Sequence, residues 1–179
     1  MRIRGHVLIG GVASLVLSPV IGLGAIPFWI GSVLIDVDHY LEFIYLNRLT
    51  NFSIRRMSDY HYLLSNYWPR PGFLNLSIFH TAEFLSLFYL VALWLDSFML
   101  KAALWGMLLH FFLDFICLVN MGATNKRAYS IIEFLIRKEI MKRHGLHPFT
   151  ICNEAIDVVL QNNPKKPQRE KFVASNRNE

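Results

Sequence analysis

A chain of 179 residues that is 54% hydrophobic and only 17% charged, with a mean hydropathy of +0.34, has too little polar surface for an ordinary soluble domain, and the bilayer is its expected solvent. Its net charge of +5 would suit a nucleic-acid binder, but 17 of the 18 Lys and Arg residues fall on one side of the topology read below, so no nucleic-acid partner is expected. Two cysteines, Cys117 and Cys152, without a CxxC spacing argue against a disulfide framework and a zinc ribbon.

The first apolar stretch, 7–17, follows a basic start at Arg2 and Arg4, as in a signal peptide. A second stretch, 20–35, comes at once with no small-x-small cleavage site between, so both are expected to be retained as membrane helices. Ser18-Pro19 predicts the turn between them, because proline tolerates a helix start but not an interior. Residues 47–72 read as a polar connection carrying Arg48, Arg55, Arg56, Arg70 and two prolines. Residues 74–95 and 98–119 are each about 22 long, enough for roughly 30 Å of helix and a bilayer core. After Asn120 a Gly-Ala-Thr-Asn turn leads to 129–143, where Ile131, Ile132, Leu135, Ile136 and Ile140 alternate with basic residues at helical spacing, which predicts an amphipathic helix on the membrane surface. From Asn162 the composition turns to Pro, Lys, Gln, Glu and Asn, as in a flexible tail.

The expected fold is therefore all-α: an integral membrane bundle of about four helices with its site in residues 1–125, an amphipathic surface helix and following segment in 126–160, and a flexible polar tail in 161–179. Four spans put the amino terminus, the 47–72 connection and everything after Asn120 on one face. Lys101 alone among the basic residues is opposite, so by the positive-inside rule the shared face is cytoplasmic, in a multi-pass protein of the inner (plasma) membrane.

Ionisable groups in or at the ends of apolar helices are costly unless compensated, and His6, Asp36, Asp38, His39, His80, Glu83, His110 and Asp114 are such groups. Threading the spans puts His6 at the cytoplasmic end of the first, Asp36 to His39 at that end of the second, His80 about two turns into the third, and His110 with Asp114 in the cytoplasmic half of the fourth. His110 and Asp114 are i, i+4; Asp36 and His39, and His80 and Glu83, are i, i+3, so each pair shares a helix face. Mixed imidazole and carboxylate donors suit zinc first, with manganese or iron as alternatives, and eight candidates suffice for one or two ions.

Other readings stand beside this one. Asp36, Asp38 and Glu42 also fit the point where the second helix meets water, His80 with Glu83 an internal ion pair, and the whole set a structural polar network. A metal carrier would need ligands along both halves of the membrane, whereas 87–95 and 98–109 hold almost no polar groups. A non-catalytic module would dock a partner on the 129–143 helix. His61 is placed to fold back over the site from its connection, and His144, His147 and Cys117 are weaker candidates. No P-loop, dinucleotide glycine motif or GxSxG elbow is present.

An amino-terminal His, then Gly-Ser-Val-Leu-Ile-Asp-Val-Asp-His at 31–39, His80-Thr81 opening the third helix, and His110-x-x-x-Asp114 in the fourth resemble the YdjM-type inner-membrane metal-dependent hydrolases, which are related to zinc-dependent phospholipases C and single-strand-specific zinc nucleases. The resemblance covers residues 1 to about 120. Ile35 stands where that family usually has Pro, and Asn75 where it often has a second His. It implies an all-helical fold, metal ligands at His6, Asp36, Asp38, His39, His80, His110 and Asp114, and phosphoester hydrolysis.

The expected chemistry is attack by a metal-bound hydroxide, with Asp114 or Asp36 bridging ions and Asp38 or Glu83 taking a proton or orienting a histidine; Asp38, Glu83 and Asp114 are thus the candidate catalytic residues. Arg55, Arg56, Lys126 and Arg127 share the face and are candidates to hold an anionic head group. A site at head-group depth points to a membrane lipid as partner and to a lipid or other phosphoester as substrate. The sequence leaves the oligomeric state open.

Overall fold

The computed structural model describes residues 3–67, 70 and 72–161, and the tail expected from 162 onward lies outside them. The described chain is mostly helical: α1 (Ile3–Ile21), α2 (Ala25–Leu34), α3 (Val37–Leu46), α4 (Ile54–Tyr67), α5 (Ala82–Trp94), α6 (Phe98–Asn120), α7 (Ile131–Arg143) and α8 (Pro148–Gln161). One short parallel bridge, β1 (Asn75–Leu76) with β2 (Arg127–Ala128), aligns Asn75 with Arg127. Two stretches, Gly5–Leu46 and Phe98–Asn120, are long and apolar enough to cross a membrane.

Gly5–Leu46 folds back on itself. The Ser14 hydroxyl donates to the Ala25 carbonyl at 2.6 Å and the Trp29 indole to the Val7 carbonyl at 3.1 Å, so α1 and α2 run antiparallel. The turn expected at Ser18-Pro19 comes later, because α1 continues through Pro19 to Ile21. Pro19 has no N–H for the Leu15 carbonyl, and the Ser18 hydroxyl donates to that oxygen instead at 2.8 Å, which lets the last turn survive the proline. The reversal falls at Gly22–Gly24, where Gly22 takes φ +53°.

Helices α2 and α6 run parallel and very close. A Cβ on Gly31 would meet the Ala103 carbonyl oxygen at 2.2 Å, and one on Gly106 the Phe28 carbonyl oxygen at 1.9 Å, so the approach is backbone to backbone and only glycine permits it. Both α1 and α2 therefore present one end, the start of α1 and the end of α2, to the carboxyl-terminal half of α6.

The third predicted span is not a single helix. Asn75–Leu76 bridge to β2, Ile78–His80 make one 3-10 turn, and α5 begins only at Ala82, where the Thr81 hydroxyl accepts the Phe84 N–H. Its 13 residues give about 20 Å, short of the roughly 30 Å of a bilayer core. His80 accordingly precedes the helix instead of lying two turns inside it.

The polar connection 47–72 holds a further helix, α4, whose Met57, Tyr60, Leu64 and Tyr67 form one buried stripe at helical spacing. They pack with Phe43 of α3 and with Ile151, Cys152, Ala155, Ile156 and Val159 of α8 in a conventional apolar core. The segment after the surface helix thus forms α8 and is part of this core. Helix α7 starts at Ser130, whose hydroxyl accepts the Ile132 and Glu133 N–H groups; Phe134 turns inward onto Leu74 and Ala128, and Ile132, Leu135, Ile136 and Ile140 are exposed.

Candidate metal centre

The shared end of α1, α2 and α6 collects the ionisable residues. His6 comes from the first turns of α1, Asp36 from the break between α2 and α3, Asp38 and His39 from the first turn of α3, His80 from the 3-10 turn before α5, and His110 and Asp114 from the buried face of α6. His6, Asp38, His80, His110 and Asp114 are buried. Ligand atoms of Asp36, His39, His80 and Asp114 lie within 4.8 Å of one another, as do those of His6, His110 and Asp114.

Hydrogen bonding sets the orientation of two imidazoles. The His110 Nδ1 is 2.7 Å from the Ser32 carbonyl oxygen, which can only accept, so Nδ1 carries the proton and Nε2 the lone pair. The His80 Nδ1 is 3.0 Å from Asp38 Oδ2, an oxygen that also accepts the Phe79 N–H at 3.0 Å, and again Nε2 is left with its lone pair. Both Nε2 atoms are buried and make no hydrogen bond. They point at carboxylates: His110 Nε2 is 3.2 Å from Asp36 Oδ1 and 3.7 Å from Asp114 Oδ2, and His80 Nε2 is 3.8 and 3.9 Å from the same two oxygens.

Nitrogen and carboxylate lone pairs facing one another in a buried space repel unless a proton or a metal cation lies between them. Donors about 2.1 Å from a tetrahedral ion are about 3.4 Å apart, so separations of this size fit one divalent ion shared by Asp36, His80, His110 and Asp114. His39 adds Nε2 at 3.5 Å from Asp36 Oδ1, and His6 adds Nε2 at 3.1 Å from Asp114 Oδ1. The residues present therefore suit a nitrogen- and oxygen-preferring metal such as zinc.

Asp38 stands one step back. One of its oxygens is occupied by His80 and the Phe79 amide, the arrangement by which a carboxylate fixes a ligating histidine, and the other lies 3.3 Å from His39 Nδ1. Glu83 points elsewhere: it accepts the Ser130 hydroxyl and the Ile131 N–H, at 3.0 Å for the latter, and so ties α5 to the start of α7. The bridge between β1 and β2 delivers Arg127, buried, with Nη1 3.2 Å from Asp114 Oδ2, while its Nε and Nη2 have no hydrogen-bond partner. Arg55 and Arg56 lie in the first turn of α4 without a described ion pair to the cluster, and the Lys126 ammonium donates to the Arg70 carbonyl at 3.3 Å.

His144 and His147 are exposed beyond α7, and Cys117 is a free thiol outside the ligand groups described. His61, carried by α4, does reach the cluster: its ring centroid is 4.8 Å from that of His39. Burial holds the His61 imidazole below its ordinary titration range, and burial likewise pushes the Cys152 thiol up to about 12. Glu42 lies one turn after His39 with the same i, i+3 spacing as the other pairs, which was the available signal for including it. No protein-family model matches the chain, and no characterised protein or solved structure matches it significantly either.

Proposed function

We propose that this chain is a membrane-embedded, divalent-metal-dependent hydrolase acting on a phosphoester, with a membrane lipid as the substrate class, in keeping with its resemblance to the YdjM-type hydrolases. The observation that carries the reading is the convergence of two buried, unpartnered Nε2 atoms, from His80 and His110, on Asp36 and Asp114. Asp36, His80, His110 and Asp114 hold the ion, with His6 and His39 at its edge. Zinc, or manganese or iron in its place, lowers the pKa of a water and polarises a phosphoryl oxygen when bound there.

The chain's own residues supply the rest. Asp38 keeps His80 in the tautomer that offers Nε2, and its Oδ1, buried without a hydrogen-bond partner, is the atom left to take up a proton. Arg127 neutralises part of the carboxylate charge and keeps two N–H groups for an anionic oxygen of the substrate.

The surroundings of the site support a lipid as substrate. Large apolar side chains cover the outside of α1, α2 and α6, among them Leu8, Leu15, Val20, Ile26 and Trp105, and α7 exposes an apolar ridge of its own. On this reading the bundle is multi-pass in the inner membrane, α5 completes it as a short fourth span, and the polar cluster lies at cytoplasmic head-group depth, where a lipid phosphate arrives laterally.

The test is elemental analysis of detergent-purified wild type beside a His110→Ala, Asp114→Ala variant, followed by assay of both on phospholipid, lysolipid and polyprenyl phosphate. Stoichiometric zinc in the wild type, its loss in the folded variant, and release of product by the wild type alone are expected. Absence of bound metal after incubation with zinc, manganese and iron would end the reading.

A further inference from the structure

The cluster does not stop at Asp36 and Asp114. On the far side of His39, donor atoms of His39, Glu42 and His61 come within 4.8 Å of one another. Glu42 follows His39 by one helical turn of α3, and α4 brings His61 against both. None of these contacts belongs to the ion position argued above, which uses the opposite edge of the His39 ring, with Nε2 3.5 Å from Asp36 Oδ1.

Each of the three residues is held by one atom and leaves another unused. His61 Nε2 lies 3.0 Å from the His39 carbonyl oxygen, so it is the protonated nitrogen, and Nδ1 keeps the lone pair. Glu42 Oε1 accepts the Tyr60 hydroxyl at 3.3 Å, while Oε2 is buried without a hydrogen-bond partner. His39 Nδ1 is likewise buried and makes no hydrogen bond, with Asp38 Oδ1 3.3 Å from it. A backbone carbonyl behind one histidine and a tyrosine hydroxyl behind the carboxylate are the kind of outer partners that orient metal ligands. An unpartnered carboxylate oxygen in such a place is expensive unless a proton or a cation offsets it.

We propose that His39, Glu42 and His61 form a second divalent-cation site, joined to the first through the His39 ring, which releases its one N–H proton to solvent on loading so that a nitrogen faces each ion. Two imidazoles and one carboxylate are a donor set that zinc takes in reactive sites, where three protein ligands leave a fourth position for a water or a substrate oxygen. The inference deepens the hydrolase reading, and rests on it for the first ion beside His39. Two neighbouring ions are suited to clamping a phosphoryl group from both sides, so the second site narrows the substrate to a phosphoester and assigns α4 a direct part in the centre.

The experiment is zinc stoichiometry on the full-length protein in detergent, stripped by chelator and reloaded with Zn²⁺ alone, with helicity and elution volume recorded for each variant. Glu42→Gln keeps the side chain's size and the acceptor for Tyr60, so it reports ligand charge and not packing; His61→Ala is the companion. Each is expected to bind one equivalent less than wild type with unchanged helicity. The His110→Ala, Asp114→Ala variant should retain the equivalent at Glu42 and His61, and adding Glu42→Gln to it should remove that one too. Wild-type stoichiometry in folded Glu42→Gln overturns the second site and leaves the hydrolase reading standing. Loss in Glu42→Gln with none in the His110→Ala, Asp114→Ala variant overturns the first site and keeps the second, and no zinc in any protein overturns both.

Discussion

Two sectors of this molecule pack by opposite rules. Where α1, α2 and α6 meet, the contacts are made by small residues, Gly10, Ser14, Gly31, Ser32 and Gly106, while Leu8, Leu15, Val16, Val20 and Trp105 point outward. Where α3, α4 and α8 meet, Phe43, Met57, Tyr60, Leu64 and Ile156 are inside, while Arg55, Asp59, Glu154 and Asp157 are exposed. Small-in, large-out is how helices associate when their surroundings are as apolar as their side chains; large-in, polar-out is how they associate in water. The His and Asp cluster sits where the two sectors join, taking His6, His110 and Asp114 from one and His39 and His61 from the other. The proposed hydrolase would thus gather its ligands at a boundary between two solvents, which is also where a lipid head group lies.

The largest expected effect is in the water-type sector. Phe43 is fully buried among α4 and α8, and Phe43→Ala should cost about 4 kcal/mol, seen as a lowered unfolding midpoint of the purified protein. A loss under about 1 kcal/mol would show that α4 and α8 are not packed as described. Next comes Leu15→Asp on the outer face of α1, at 75% exposure. In water such a change falls within about 0.5 kcal/mol. In a bilayer it should raise the insertion free energy of α1 by about 3 kcal/mol, measured by glycosylation mapping of the inserted fraction. Unchanged insertion would put α1 in water and remove the contrast between the sectors. Gly106→Ala is third: its Cβ would meet the Phe28 carbonyl oxygen at 1.9 Å, so α2 and α6 must separate, at about 2 kcal/mol in detergent melting.

The sequence displayed the membrane-type sector better than the other. Its signal is a long apolar run, which composition alone reveals, and the gathering of His6, His110 and Asp114 at one end of the helices followed from counting residues along such runs. The same counting failed at His80, because a run of apolar residues from Leu74 does not distinguish a strand pair and a 3-10 turn from a helix; Thr81, a good N-cap, was the local mark of where α5 begins. Helix α4 was hidden because its buried stripe, Met57, Tyr60, Leu64 and Tyr67, is diluted by arginines and serines on its other faces, so only the period reveals it. His61, read as folding back over the site from a connection, is instead carried by that helix. Pro19 misled because the rescue of the Leu15 carbonyl by Ser18 is a side-chain detail that no propensity carries. Asp38 and Arg127 have places that only tertiary contact defines: one behind His80, the other delivered by a two-residue bridge.

The smallest effect concerns the seam between α5 and α7, where spacing had placed Glu83 among the catalytic candidates. Its carboxylate accepts the Ser130 hydroxyl and the Ile131 N–H, and the Ser130 hydroxyl in turn accepts the Ile132 and Glu133 N–H groups, so the pair satisfies the first amides of α7 and sets a negative charge at its positive end. Ser130→Ala removes the cap and should cost about 1 kcal/mol in melting, with zinc content unchanged because neither residue is among the grouped metal donors. Glu83→Gln should behave alike: a modest stability loss and full metal. If either variant instead lost zinc or hydrolytic rate without losing stability, Glu83 would belong to the reactive centre, and the α7 ridge would be coupled to the site and not merely fastened beside it.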